Sequence, residues 1–558
     1  MKLRHIIPVS IALAAMALTA CSDMLDLKSD DYVYAGDNPL NSANDSLYSA
    51  MGILTQMQKL GERYVLLGEL RGDLVDVTAD APLSIQQVSN FATSEGNDFS
   101  GRRDYYSVIN NCNYALTHMD TTITEHENRV MVPEYVAIRT LRAWTYLQMG
   151  LTYGRVRYVE TPLLSLEETE MNYPVVELDA LIDRLVADLE RYAGNRTPDY
   201  GSNDGLDTRR FFIEPRLLLA DLYLYRGQYE DAARFYYDYI REHSLTVGSY
   251  LNTWITNQAT APSTQDFLNS FSIETLSEIP YASDVKKIHP NLVNMTYNRK
   301  PTMVVAPWFV DEMGLRTHYH TDNAQAVAIT GVLEGDLRGR FLMPATGAQI
   351  PVSFGSVAGM PDNQVLITKF YNTATYESTL LNPDNTIAAG YYTREVPLYR
   401  IPHVYLRYAE ALNRLGKPSL AFAVLRYGLS SETLADETKV NPLELEDEVY
   451  WTNFSATTFD SNIGITARGC GRGVKLPGCS YVMPEFDTTL ELTEWVEDQI
   501  LYELAAETQF EGNRFFDLMR ISRHRGGTEY FADCVSRRFA NPAAIRARLL
   551  DRENWWVK

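Results

Sequence analysis

Two stretches far apart in the chain share one spacing, and that repetition limits the fold more than any other feature. Pro215 to Ile240 places Ala220, Tyr223, Gly227, Ala232 and Tyr236 at the same offsets at which Val404 to Leu425 places Ala409, Leu412, Gly416, Ala421 and Leu425. Apolar residues returning every three or four positions on both sides of a glycine describe two helices joined by a tight turn. Alanines at the facing positions let the two helices approach closely, as in a tetratricopeptide hairpin. Gly227-Gln-Tyr-Glu and Gly416-Lys-Pro-Ser read as the turns. A hairpin used twice predicts a mainly α scaffold.

Helical periodicity also covers Asn41 to Leu60, Asp104 to Met119, Pro133 to Leu151 and Val176 to Tyr192. Between the two hairpins, residues 244–394 change character. They are richer in Pro, Gly, Asn and Thr, with short β-type runs at Met303-Val-Val-Ala, Ala326-Val-Ala-Ile-Thr330 and Gln364-Val-Leu-Ile-Thr368. The expected organisation is a leader over 1–20, a helical region over 21–243, a loop-rich insertion with short strands over 244–394, and a second helical region over 395–558. In such a chain the hairpins are scaffold and the loops carry recognition.

The leader has a basic start, Lys2, Arg4 and His5, and an apolar run from Ile6 to Leu18. That run is too short for a membrane helix and ends in small residues, as a cleaved signal does. Leu18-Thr-Ala-Cys21 resembles the bacterial lipobox, which makes Cys21 the expected site of lipidation. Ser22 to Asp31, with Asp23, Asp26, Asp30 and Asp31, reads as the tether of a soluble body. A formal net charge of −22, from 72 acidic against 50 basic side chains, makes nucleic acid and anionic lipid surfaces poor partners.

Near the C-terminus, Glu503, Glu507 and Glu511 fall four apart on one helical face, followed at steps of three by Arg514, Asp517 and Arg520. Stacked carboxylates repel unless cations answer them, and the spacing offers Arg514 to both Glu507 and Glu511. Gly512 lets a helix bend or end there. The row has no histidine within it, so a di-metal carboxylate site is not supported, and a structural ion-pair network is the expected role. No metal or cofactor is expected. Walker and dinucleotide motifs are missing, Gly355-Ser-Val-Ala-Gly359 is not a nucleophile elbow, and Asp199 to Gly205 misplaces the glycine of a calcium loop. His318-Tyr-His320 alternates like a strand, but two histidines make a weak metal site, and a solvated loop is the simpler reading.

The run Ile500, Glu503, Glu507, Glu511-Gly512, Arg514, Asp517-Leu518, Arg520 resembles the C-terminal signature of the SusD/RagB outer-membrane lipoproteins, with Leu504 and Thr508 as departures from the usual Arg and Leu. Ile138 to Gly154, Gly205 to Leu224 and Pro397 to Asn413 resemble further family passages, the last with Pro402-His403 where Ala-Asp is usual. The resemblance implies a non-enzymatic receptor, displayed on the outer membrane of a Gram-negative bacterium, that binds extracellular oligosaccharide and delivers it to a SusC-like TonB-dependent transporter. Peptide capture, as in the RagB branch, is the alternative within the family. A surface glycoside hydrolase and a protein-binding repeat scaffold are alternatives from other classes.

Aromatic side chains are the candidates for ligand contact, with 36 Tyr, 20 Phe and 7 Trp in the chain. Trp144 and Trp495 lie in helical runs and read as core. Trp254, Tyr281, Tyr297, Trp308 and Tyr319 lie in the loop-rich region, where a flat apolar face with a polar edge suits stacking on sugar rings. The alternating charges of Glu62 to Asp73 form a second candidate, with internal salt bridges as the competing reading. Cys470 and Cys479 flank a glycine-rich loop and are either a local disulfide or two separate thiols.

Overall fold

A computed structural model describes residues 40–203, 205–248, 274–281, 289–321, 330–342, 349–356, 365–370, 395–446, 453–470 and 481–558. Both repeats are helical hairpins. Pro215–Arg226 and Tyr229–Glu242 turn at Gly227, and Ile401–Arg414 and Pro418–Arg426 turn at Gly416. The turn glycines take φ of 78° and 76°, the left-handed region that a side chain resists. Ala220, Ala232, Ala409 and Ala421 are fully buried between the paired helices. Pro402 falls in the first turn of its helix, where no intrahelical N–H is needed, so this departure from the family pattern costs no hydrogen bond.

The Ile401–Arg414 helix packs on Tyr229–Glu242, joining the two hairpins. A buried polar knot fixes the contact: Asp221 accepts from the Tyr399 hydroxyl at 2.6 Å and is also bonded by Tyr236 and Arg407. Upstream, Ala43–Glu69, Arg103–His118 and Val132–Tyr153 stack in antiparallel sequence against the same core, with Trp144 and Tyr146 buried among them. The scaffold is mainly α. Each sheet among the described residues is a two-stranded antiparallel ribbon.

Within 244–394 the described elements are short. Met303–Val305 pairs with Val75–Val77, and Leu366–Ile367 pairs with Phe354–Gly355. Of the expected Ala326 to Thr330 strand only Thr330 is described, opening Thr330–Glu334, which pairs with Thr317–Thr321. His318 is on that strand, fully buried, with Nδ1 at 2.7 Å from the Gly335 carbonyl oxygen. The solvated loop expected there is therefore replaced by a packed strand. Thr275–Pro280 and Glu395–Arg400 pair where the region joins the scaffold.

The C-terminal run is two helices, Thr489–Thr508 and Arg514–His524. Gly512, at φ 90°, turns the chain between them and lies in backbone contact with the Ala43–Glu69 helix. Glu69 is buried at this crossing. Its Oε1 accepts from the Gly512 N–H at 2.8 Å, while Oε2 has no hydrogen-bond partner among the described residues. Burial pushes the carboxyl up to about 7, against the Gly512 N–H and the charges of Lys369 and Arg514, which pull it down. The folded chain thus holds this proton more tightly than the unfolded chain, whose carboxyl titrates near 4.5. The stability so gained is complete below that pH and is lost as the pH rises through 7. Glu69→Gln is expected to remove about 1–3 kcal/mol of this pH dependence. Thermal melts should show the variant above wild type at pH 8 and level with it at pH 4.5; parallel curves would refute the assignment.

Candidate ligand-binding cleft

The acidic face of the Thr489–Thr508 helix is buried, and the residues answering it come from elsewhere in the chain. Arg338 donates to Glu503 at 2.5 Å and to Glu507 at 3.1 Å, and grips Asp336 through Nε and Nη2 at 2.9 and 2.7 Å. Arg468 joins Glu507 to Glu274 at 2.7 and 2.5 Å. Arg400 and Lys369 meet Glu511 at 2.7 and 2.5 Å. Arg514 does not serve Glu507 or Glu511. The turn at Gly512 redirects it to Asp73, with Nε–Oδ1 at 2.6 Å. Asp517 and Arg520 pair with each other at 2.9 Å, and Arg520 grips Glu410 at 2.7 and 2.8 Å.

These pairs set the charge states. Burial would raise Glu507 and Asp336, but their arginines outweigh it and hold both carboxyls below their ordinary range. A glycosidase's general acid needs the opposite shift. Among the described residues no group of three or more His, Cys, Asp or Glu side chains is placed to hold a metal ion. The cluster welds Asp336, Arg338 and Lys369 of the loop-rich region to the scaffold.

Directly above this weld lies a cleft between the Pro307–Leu315 helix and the Thr489–Thr508 helix. A cavity of about 260 Å³ is lined by Arg316, Asp336, Arg338, Tyr481, Tyr502 and Glu503 among others. A second, of about 370 Å³, shares Arg316 and Tyr502 and extends to Trp308, Tyr530 and Arg537. The walls are held by polar bonds: Tyr481 donates to Glu503 at 2.7 Å, Tyr502 to Asp336 at 3.2 Å, and Tyr530 to Asp498 at 2.8 Å. Trp308 donates from Nε1 to the Asp73 carbonyl at 2.6 Å, and the Arg537 guanidinium lies 3.2 Å from its ring centre. Rings fixed at their polar ends beside a cavity are suited to stacking on a flat ligand, since little side-chain freedom remains to be lost on binding.

Of the aromatic candidates, Trp308 is half-buried in this cleft. Tyr281 is buried, its hydroxyl donating to the Gln58 carbonyl at 2.7 Å, and Tyr297 is buried as well. Trp254 lies outside the described residues, as do Cys21 and Cys479, and the Tyr319 side chain on its strand is likewise not described. Within Glu62 to Asp73, Glu69, Arg71 and Asp73 are interior, so that stretch serves as internal ion pairs and hydrogen bonds. Nothing in the local sequence marks Tyr481, Tyr502, Tyr530, Arg316 or Arg537 as lining a cleft. Tyr502 sits beside Glu503 in a helical run, where an aromatic reads as core. Trp144 is core as expected.

Residues 355–548 match the model of the SusD family. That segment, 194 of the chain's 558 residues, is similar to the SusD family. No curated protein matches it. Solved structures share the fold over most of the chain. A SusD superfamily protein from Bacteroides vulgatus ATCC 8482 is similar at a TM-score of 0.57 and 13% identity, over 91% of this chain and 92% of that one. A putative sugar binding protein from the same organism gives 0.54 and 17%, over 87% and 88%. A laminarin binding SusD-like protein gives 0.50 and 17%, over 90% and 95%. The repeated hairpins and the charged C-terminal helices are thus the frame of a SusD-like fold. Among the described residues no helix is long and apolar enough to cross a membrane.

Proposed function

We propose that this SusD-like chain is a surface lipoprotein that binds extracellular oligosaccharide and passes it to a SusC-like TonB-dependent transporter. The observation carrying the binding role is the aromatic cleft, in which Trp308, Tyr481, Tyr502 and Tyr530 surround cavities of sugar-ring dimensions. Its carboxylates are tied to Arg338 rather than poised for catalysis. Support for a carbohydrate ligand comes from the sugar-binding and laminarin-binding relatives of the same fold. The lipobox-like Leu18 to Cys21 supports an acylated Cys21 at the outer membrane, and a lipid tether carries no solute across a membrane, so a transporter partner is needed.

Trp308→Ala is expected to weaken oligosaccharide binding by about 1–3 kcal/mol, the scale for losing a desolvated aromatic anchor. Calorimetry against neutral and acidic oligosaccharides and against a peptide library reads this directly. Binding to peptides alone would replace sugar by peptide as the cargo, and turnover of a glycan would make the chain an enzyme. Mass spectrometry of the mature N-terminus should find Cys21 acylated. A pull-down from native membranes should recover a large outer-membrane barrel; recovery of none would remove the transporter from the proposal.

A further inference from the structure

We propose that Arg316 makes this cleft selective for oligosaccharides that bear a carboxylate, an inference resting on the oligosaccharide-binding reading above. Arg316 follows the Pro307–Leu315 helix directly and lines both cavities. Its guanidinium lies 3.9 Å from the ring centre of Tyr502 and 5.0 Å from that of Tyr481. Those two rings are themselves anchored through their hydroxyls to Asp336 and Glu503. The cation is therefore held by two aromatic faces and by a single ion pair, to Glu312 one helical turn back.

The hydrogen bonding of the cleft is uneven. Arg338 spends its donors on Asp336, Glu503 and Glu507, and Arg514 on Asp73 and the Leu501 carbonyl. Arg537 is bonded to Asp73 and stands at Trp308, in the larger cavity only. Arg316 donates from Nη2 to Glu312 at 2.9 Å, and its Nε and Nη1 donate to no described residue. Its side chain keeps 30% of its surface exposed. A guanidinium with spare donors, held rigidly between two cavities with aromatic walls, matches a ring that carries a carboxylate: the ring stacks and the carboxylate takes the free N–H groups. A neutral sugar would leave those donors to water and gain only the stacking.

The formal charge of −22 sharpens the expectation. At long range the molecule repels an acidic ligand, so a preference for one reports a local cation and not general adsorption of polyanions.

The test is calorimetry on the full chain with trigalacturonate and a hyaluronan tetrasaccharide, each beside its carboxyl-reduced counterpart, which keeps the rings and replaces the carboxylate by CH2OH. Wild type should bind at least one acidic form tenfold or more tightly than its reduced form. Arg316→Gln should bring that ratio close to one, and Arg316→Lys should retain part of it. Arg129→Gln, on an exposed hairpin, should leave the ratio unchanged. A purely structural loss in Arg316→Gln would weaken acidic and reduced ligands alike, and if that variant fails to fold, the wild-type and Arg316→Lys ratios decide. A ratio near one in wild type, binding of reduced forms only, or a ratio surviving in Arg316→Gln would overturn the carboxylate selectivity while leaving the receptor reading intact. Binding of no oligosaccharide of either kind would remove both.

Discussion

Arg338→Ala is expected to destabilise the chain by about 3–5 kcal/mol, the cost of leaving buried carboxylates without their cation. Arg338 is 1% exposed and touches three acids, Asp336, Glu503 and Glu507. Glu507 keeps Arg468 at 2.7 Å, so the uncompensated charge falls on Asp336 and Glu503, the two that face the cleft. Arg338→Lys retains a charge but cannot fork to several oxygens, and its loss should be smaller. Thermal melting reads the difference, and limited proteolysis should show the 330–342 segment released first in Arg338→Ala. A melt unchanged from wild type would mean that the network contributes nothing to stability and serves only the ligand. The effect should reach function too, because Tyr481 and Tyr502 are oriented by the same two carboxylates.

The sequence made the helical scaffold readable and left the charge partners hidden, for one physical reason. Helical order is written locally: the 3.6-residue period and the turn glycines at 227 and 416 lie within each hairpin. Ion pairing is not local. Glu503 is answered by a residue 165 positions away, and Glu511 by Arg400, 111 positions away. Spacing alone offers Arg514 to Glu507 and Glu511, whereas the turn at Gly512, which the sequence allows but does not aim, sends it to Asp73. The same limit applies to the cleft. Trp308 stood out because its surroundings looked loop-like, whereas Tyr502, one residue from the acidic row, was indistinguishable from core until the Pro307–Leu315 helix was placed opposite it. Arg316 carried no signal at all, since nothing in its neighbours announces that two tyrosines from distant segments will flank it.

Two glycines on the same helix should respond to alanine with opposite signs. Within Ala43–Glu69, Gly52 is exposed, and a Cβ there meets nothing within 4 Å. Gly52→Ala is expected to stabilise by up to ~1 kcal/mol, the ordinary gain from removing glycine's backbone freedom in a helix. At Gly68 a Cβ would lie 1.8 Å from the Gly512 carbonyl oxygen and 2.3 Å from its carbon. Those are backbone atoms and cannot rotate away. Retreat of the turn is also blocked by function of the same residue, because its N–H is bonded to Glu69 and its φ of 90° is fixed by the change of direction between the two C-terminal helices. Gly68→Ala should therefore cost more than ~4 kcal/mol, a value reached only when packing or backbone is broken, or prevent folding altogether. Where a folded fraction can be recovered, Arg514 should be displaced from Asp73, whose carbonyl also holds Trp308, so ligand affinity should fall together with the melting temperature. Equal melting temperatures for Gly68→Ala and wild type would show that the two backbones do not meet there, and the coupling between this crossing and the cleft would go with them.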